Sequence, residues 1–176
     1  MARGDLYGPD YRPHFSGHET FPLRYGWLNK AFNAVAACKK IEETASVFQS
    51  DAAIAEFGVG RNMVSAIKHW ALATNVLELA GEAGCFAPSN FGKLLFGEGG
   101  IDPFLENPSS LWAIHWRLVS PSELTTWHWA FNYFSPLSFE RETLVSGLDA
   151  LAKERDWARA SRGTIKRDVE CFLRSY

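Results

Sequence analysis

Apolar residues recur at helical spacing through most of this chain, with one short stretch where they alternate instead. From about Leu23 to Lys40, Trp27, Ala31, Ala34, Val35 and Cys38 fall on one side at about 100° per residue, which predicts a first helix. Residues 41–50 lose the period and read as a connection with room for a short helical turn. Residues 1–15, rich in Gly, Pro and Tyr, show no period and read as an extended arm or surface loop.

From Asp51 the pattern becomes more specific. Ser50 can cap a short helix over Asp51–Glu56, Gly58 stops it, Gly60 allows a tight turn, and a second helix runs from Arg61 to about Thr74. On this second helix Met63, Val64, Ala66, Ile67, Trp70 and Ala71 share one arc, while Arg61, Asn62, Ser65, Lys68 and His69 share the other. Two helices joined by a glycine turn predict a helix-turn-helix. After Asn75, the run Val76, Leu77, Glu78, Leu79 alternates as a strand does, Gly81 and Gly84 mark a turn, and Cys85, Phe86 and Ala87 can return antiparallel. Pro88–Phe96 then carries Gly92 ahead of Leu94, Leu95 and Phe96, as where a chain leaves a wing. The expected fold is mainly α, a winged helix-turn-helix with a small β wing followed by a helical bundle.

Gly97–Asn107 reads as an acidic loop with Glu98, Asp102 and Glu106. Pro108 opens a helix to about Val119, and Pro121 with Ser122 opens another to about Phe134, proline being tolerated in a first helical turn. Further helices are expected from about Ser138 to Glu154 and from about Thr164 to Tyr176, the last without a cap signal. The expected organisation is an arm over 1–22, a winged helix-turn-helix domain over 23–97 and a helical domain over 98–176, truncated at its C-terminus.

Composition narrows the class. With 176 residues, 47% of them hydrophobic, the chain can bury a full core. No run approaches the roughly 18 apolar residues of a membrane span, and Arg3, Asp5 and Pro9 are foreign to a signal peptide, so the cytoplasm is the expected compartment. Cys38, Cys85 and Cys171 are odd in number and far apart, which predicts buried thiols rather than disulfides or a zinc knuckle. The net charge of -2 hides an asymmetry: residues 151–176 carry seven Lys and Arg against four Asp and Glu. Any contact with phosphate must therefore come from local basic patches. Seven tryptophans, with Trp112, Trp116, Trp127 and Trp129 at helical spacing, predict a large aromatic core, base stacking being the second reading.

Two groups of residues carry candidate chemistry. Arg61, Asn62, Ser65, Lys68 and His69 have the character of a recognition-helix face: arginine pairs with guanine, asparagine with adenine, and lysine neutralises phosphate. The same face could instead be plainly solvated in a scaffold for protein contacts. The run His14–Tyr25 gathers His18, Glu19 and Arg24 outside any regular element. His18 and Glu19 could act as a general base and its partner, and Arg24 could hold phosphate. Against this, Ser16 and Glu19 also have the spacing of a capping box. His115 and His128 lack a nearby carboxylate or cysteine and read as packing histidines. No phosphate-binding glycine loop, paired-cysteine zinc spacing or familiar metal-nuclease arrangement is present in the sequence.

The run Phe15-Ser16-Gly17-His18-Glu19-Thr20-Phe21-Pro22-Leu23-Arg24-Tyr25-Gly26-Trp27 resembles a bacterial DNA phosphorothioation-associated family that includes the nickase component of the Ssp system. So do the Gly58–Val64 turn, Asp102-Pro103, Leu111-Trp112 with His115-Trp116, and Thr125-Thr126-Trp127. Lys166–Tyr176 resembles a mid-protein segment of that family, so this chain corresponds to its N-terminal portion. The resemblance implies nicking of double-stranded DNA so that sulfur can replace a non-bridging phosphate oxygen. The implied partners are a cysteine desulfurase, an ATP-using sulfur-transfer enzyme and an ATPase. No cofactor is assigned; a divalent metal such as magnesium suits the nicking chemistry, and no metal ligands are identified. The alternative is a non-catalytic winged-helix DNA-binding or interaction module of the same kind of system.

Overall fold

The computed structural model describes every residue except 1–4, 50, 82–83, 122 and 159. It is mainly helical, with one two-stranded antiparallel sheet among the described residues. The chain packs as two compact units: Gly17–Arg117, and a second composed of the segment up to Ser16 with Leu118–Tyr176.

In the first unit, α1 (Trp27–Ala36) is followed by a 3-10 helix (Ile41–Ser46), α2 (Asp51–Phe57) and α3 (Arg61–Ala73). Helix α1 is shorter than its periodicity predicts: Gly26 at φ 79° opens it, and after Ala37 the chain leaves helical geometry. Ser50, expected to cap α2, lies outside the described residues. Strands β1 (Leu77–Leu79) and β2 (Phe86–Pro88) pair with Leu77 opposite Pro88 and Leu79 opposite Phe86. The strands connect to α4 (Asn90–Phe96), where the sequence pattern gave only an apolar run. Its start is set by Ser89, whose side chain accepts a hydrogen bond from the Gly92 amide. Gly92 itself must lack a side chain, because a Cβ there would collide with the Val76 carbonyl.

The core of this unit forms where α1 packs on α3, β2 and α4. Trp70, Ile67, Ala66 and Ala71 from α3 are fully buried, together with Ala31 and Leu28 of α1. Each large side chain so buried contributes roughly 1.5–3 kcal/mol relative to exposure, which is why the apolar arc of α3 faces inward. Polar side chains complete the joints. Lys30 of α1 donates to the Phe57 carbonyl at the end of α2, and the Thr44 hydroxyl of the 3-10 helix accepts from the Phe86 amide of β2 at 2.9 Å. Helix α5 (Pro108–Val119) begins at the expected proline, and Arg117 near its end covers the Phe91 ring at 4.9 Å.

In the second unit, α6 covers Thr125–Asn132, α7 Arg141–Glu154 and α8 Arg162–Leu173. Helix α6 starts later than Pro121 predicts, with Leu124 as an extended N-cap, and the accompanying Ser122 lies outside the described residues. Helix α8 packs on α7 and α6, burying Ile165, Val169 and Phe172. The arm is held here by specific bonds: Thr125 Oγ1 accepts from the His14 amide at 2.7 Å and lies 2.8 Å from the Tyr11 hydroxyl.

The aromatic residues divide. Trp27, Trp70, Trp127 and Trp129 are core residues, whereas Trp112 and Trp116 are 70% and 68% exposed, so two of the four tryptophans expected in a large aromatic core lie outside it. The cysteines are free; Cys85 and Cys171 are buried and Cys38 half-buried. Burial pushes the Cys171 thiol up to about 12, so it is inert as a nucleophile. No helix among the described residues is long and apolar enough to cross a membrane.

Candidate nucleic-acid interface

Helix α3 follows directly from Gly60, whose extended backbone forms the N-cap. Because its apolar arc is consumed by the core, Arg61 and Asn62 at its start are left exposed, and Ser65 and Lys68 are half-buried one and two turns on. Arg61 is not idle in the folded chain: its guanidinium lies 2.8 Å from the carboxylate of Asp51, the first residue of α2. Both side chains are largely exposed, so this pair adds little to the stability of the fold.

His69 is placed differently from its four companions. Its ring turns away from that exposed row toward Gly17 and His18 of the N-terminal motif, the two imidazoles meeting edge to face at 6.0 Å. Gly17 has φ +101°, and a Cβ there would come within 2.5 Å of His69 Nδ1. Only glycine meets both demands.

His18 is 3% exposed, with its ring stacked over Trp70 at 6.3 Å. The Thr20 amide donates to its Nδ1 at 2.9 Å, and the Phe21 amide donates to its carbonyl at 2.8 Å. Trp70 in turn donates from Nε1 to the Phe21 carbonyl at 2.9 Å. The motif is therefore bolted to α3 through His69 and Trp70. Between these fixed points Glu19 and Thr20 adopt left-handed backbone, φ 49° and 64°. Such strain in non-glycine residues costs of order 1–3 kcal/mol each and survives only where neighbours impose it. It also removes the capping-box reading of Ser16 and Glu19, since no helix begins there. Glu19 is exposed, as is Arg24, whose guanidinium lies 5.8 Å and 5.7 Å from the ring centres of Phe21 and Trp27.

The structure thus brings His18 and His69 together from the two predicted groups, leaves Glu19 and Arg24 on the surface of the same motif, and sets Arg61 and Asn62 at the start of α3. Sequence pattern did not single out Gly17, Trp70 and Asp51 as partners of these residues. The only cue was a glycine wedged between Ser16 and His18. His115 meets Trp112 edge to face, with burial lowering its pKa, and His128 Nδ1 lies 2.8 Å from the Val119 carbonyl. Among the described residues no group of three or more His, Cys, Asp or Glu side chains is arranged to hold a metal ion. No step through a metal is therefore assigned to these residues.

A mainly helical protein with a two-helix element, a short hairpin and a conformationally strained histidine loop is the class these features define. The chain belongs to the family described as Protein of unknown function (DUF4007), which matches residues 15–176. It is similar to the magnesium ion-bound crystal structure of SspB, with a TM-score of 0.79 and 30% identity over 94% of this chain and 50% of that one. A second SspB crystal structure gives a TM-score of 0.78 at 30% identity, over 94% and 51%. The chain spans about half the length of these solved structures. Comparison with curated proteins finds no match.

Proposed function

We propose that this chain is the DNA-docking portion of a nicking component in a bacterial DNA phosphorothioation system. The observation that carries the reading is the seating of Gly17 and His18 on His69 and Trp70, which joins the histidine motif directly to α3. On this reading α2, α3, β1 and β2 act as a winged helix-turn-helix within residues 23–97. Arg61 and Asn62 meet base edges, and Ser65 and Lys68 meet the backbone. His69 acts by holding the motif in place.

Phosphodiester cleavage requires a base for the attacking oxygen and a cation for the charge that develops on phosphate. Glu19, exposed beside His18, takes the base role, and Arg24 the phosphate-binding role. His18 supports both. With Nδ1 accepting from Thr20, its neutral ring carries the proton on Nε2, so it is a donor and a strut rather than a free base. The partners on this reading are duplex DNA, a cysteine desulfurase, an ATP-using sulfur-transfer enzyme and an ATPase.

The burial of His18 favours a second reading, a non-catalytic DNA-binding module of the same system. A plasmid assay separates the two. The intact protein with supercoiled plasmid and divalent metal should yield open-circular product; Glu19→Ala should abolish it while leaving binding intact, and Arg24→Ala should abolish it with weakened binding. Absence of product under every metal condition, with binding retained, would establish the second reading instead.

A further inference from the structure

Helix α8 and its C-cap Arg174 carry four of the seven basic residues of 151–176, and the DNA-reading face of α3 gives them no role. The exposed residues of the helix are Arg162, Gly163, Lys166, Arg167 and Leu173, followed by the exposed C-cap Arg174. At about 100° per residue they fall within an arc of about 140°. The opposite side, with Ile165, Val169 and Phe172, is buried. Four cations therefore share one solvent face, rising about 18 Å from Arg162 to Arg174.

The acids of this region are engaged, Glu170 lying within the arc itself and Glu142 and Asp149 on α7. Glu170 accepts from Arg141 at 3.0 Å, Arg162 bridges Glu142 and Asp149, and Asp149 also holds Lys153 at 2.8 Å. Asp168 is 2% exposed and lies on the inner side. Arg141, Lys153 and Arg162 are set against the carboxylates of Glu170, Asp149 and Glu142, so the excess of cations over acids on the face is carried by Lys166, Arg167 and Arg174.

We propose that the outer face of α8 is a second phosphate-contacting surface that takes the sugar-phosphate backbone of duplex DNA without reading its bases. The inference rests on the DNA-binding reading of α3. Long, exposed cations in a row match a line of phosphates, and the exposed face has no asparagine or glutamine for base edges. Its exposed large apolar residues, Leu173 and Tyr176, lie at the C-terminal end of the face rather than at a centre that would anchor a protein partner.

The test is a salt titration of labelled duplex DNA with the intact protein. Each lost phosphate contact lowers the slope of log affinity against log salt by about 0.9, so Lys166→Gln with Arg167→Gln should lower it by about 2, alike for unrelated sequences. Lys166→Arg with Arg167→Lys should keep the wild-type slope, and matching thermal melts separate lost contacts from lost fold. An unchanged slope in the glutamine variant, with Arg61→Ala still weakening binding, would overturn this inference and leave the α3 reading standing. No binding by the wild type at low salt would overturn both. Affinity for a polyglutamate peptide equal to that for DNA would overturn the assignment in favour of an acidic protein partner.

Discussion

The Thr20 amide donates to Nδ1 of His18 at 2.9 Å, and this single bond decides which nitrogen of a buried ring carries the proton. A bound amide hydrogen leaves Nδ1 without room for its own, so the neutral ring has its hydrogen on Nε2. Nitrogen NMR of the neutral ring should show an unprotonated Nδ1 and a protonated Nε2; the reverse pattern would remove the supporting role given to His18. His18→Ala should also cost roughly 2–4 kcal/mol in a urea melt, because it deletes a ring packed on Trp70.

Gly17 and His69 form a second coupled pair. Gly17→Ala places a methyl group against the imidazole at a positive φ, and should destabilise the chain by roughly 1–3 kcal/mol in denaturant melts. His69→Ala removes the collision but not the backbone strain. The double variant should therefore fall short of the sum of the two single losses, and strict additivity would show that the two residues do not touch in solution.

Arg61 and Asp51 give a prediction of opposite sign. Their exposed pair contributes at most about 1 kcal/mol, so Arg61→Ala should leave the melt nearly unchanged. If Arg61 meets a base, the same change should weaken DNA binding roughly ten- to hundredfold. Asp51→Asn should tighten binding by freeing the guanidinium from its internal partner. Fluorescence anisotropy with labelled duplex measures both, and equal affinities in all three proteins would remove Arg61 from the interface.

Acid should weaken the fold through Asp102 and Asp149. The Ser110 hydroxyl, joined by the amides of Asn107, Glu106 and Leu105, holds the Asp102 carboxyl below the usual range. The Lys153 ammonium, then Arg162, does the same for Asp149. A carboxyl with a lowered native pKa gains its proton more readily unfolded. Its contribution is therefore complete above the unfolded value of about 3.9 and is lost as pH falls through the lower native value. The urea midpoint should hold from neutrality to about pH 5 and then fall, and Asp102→Asn and Asp149→Asn should each make that fall shallower. An identical acid profile in the variants would show that neither carboxyl is tied as described.

Elements written in local chemistry were legible in the chain. Gly58 and Gly60 marked the turn between α2 and α3, the apolar arc of α3 predicted its buried face, and Pro108 marked the start of α5. Where the signal was ambiguous the reading drifted. The run from Leu23 to Lys40 kept helical spacing beyond both ends of α1, because periodicity says nothing of the left-handed Gly26 that opens the helix. Helix α4 was missed although Ser89 stands at its start, since its seven residues are too few to establish a period. Trp112 and Trp116 had the spacing of core residues yet face solvent, because spacing assigns residues to one face but not that face to the interior.

By itself, then, the sequence determined the helical character, the two-helix element with its short hairpin, and the identity of the polar residues left over by the apolar arcs, all properties set by neighbours a few positions apart. The tertiary structure alone decided how those residues are used. It seated Gly17 against His69, laid His18 on Trp70 and gave Arg61 to Asp51. Such pairings depend on where separate segments meet once their apolar faces are buried, and no local pattern encodes that meeting.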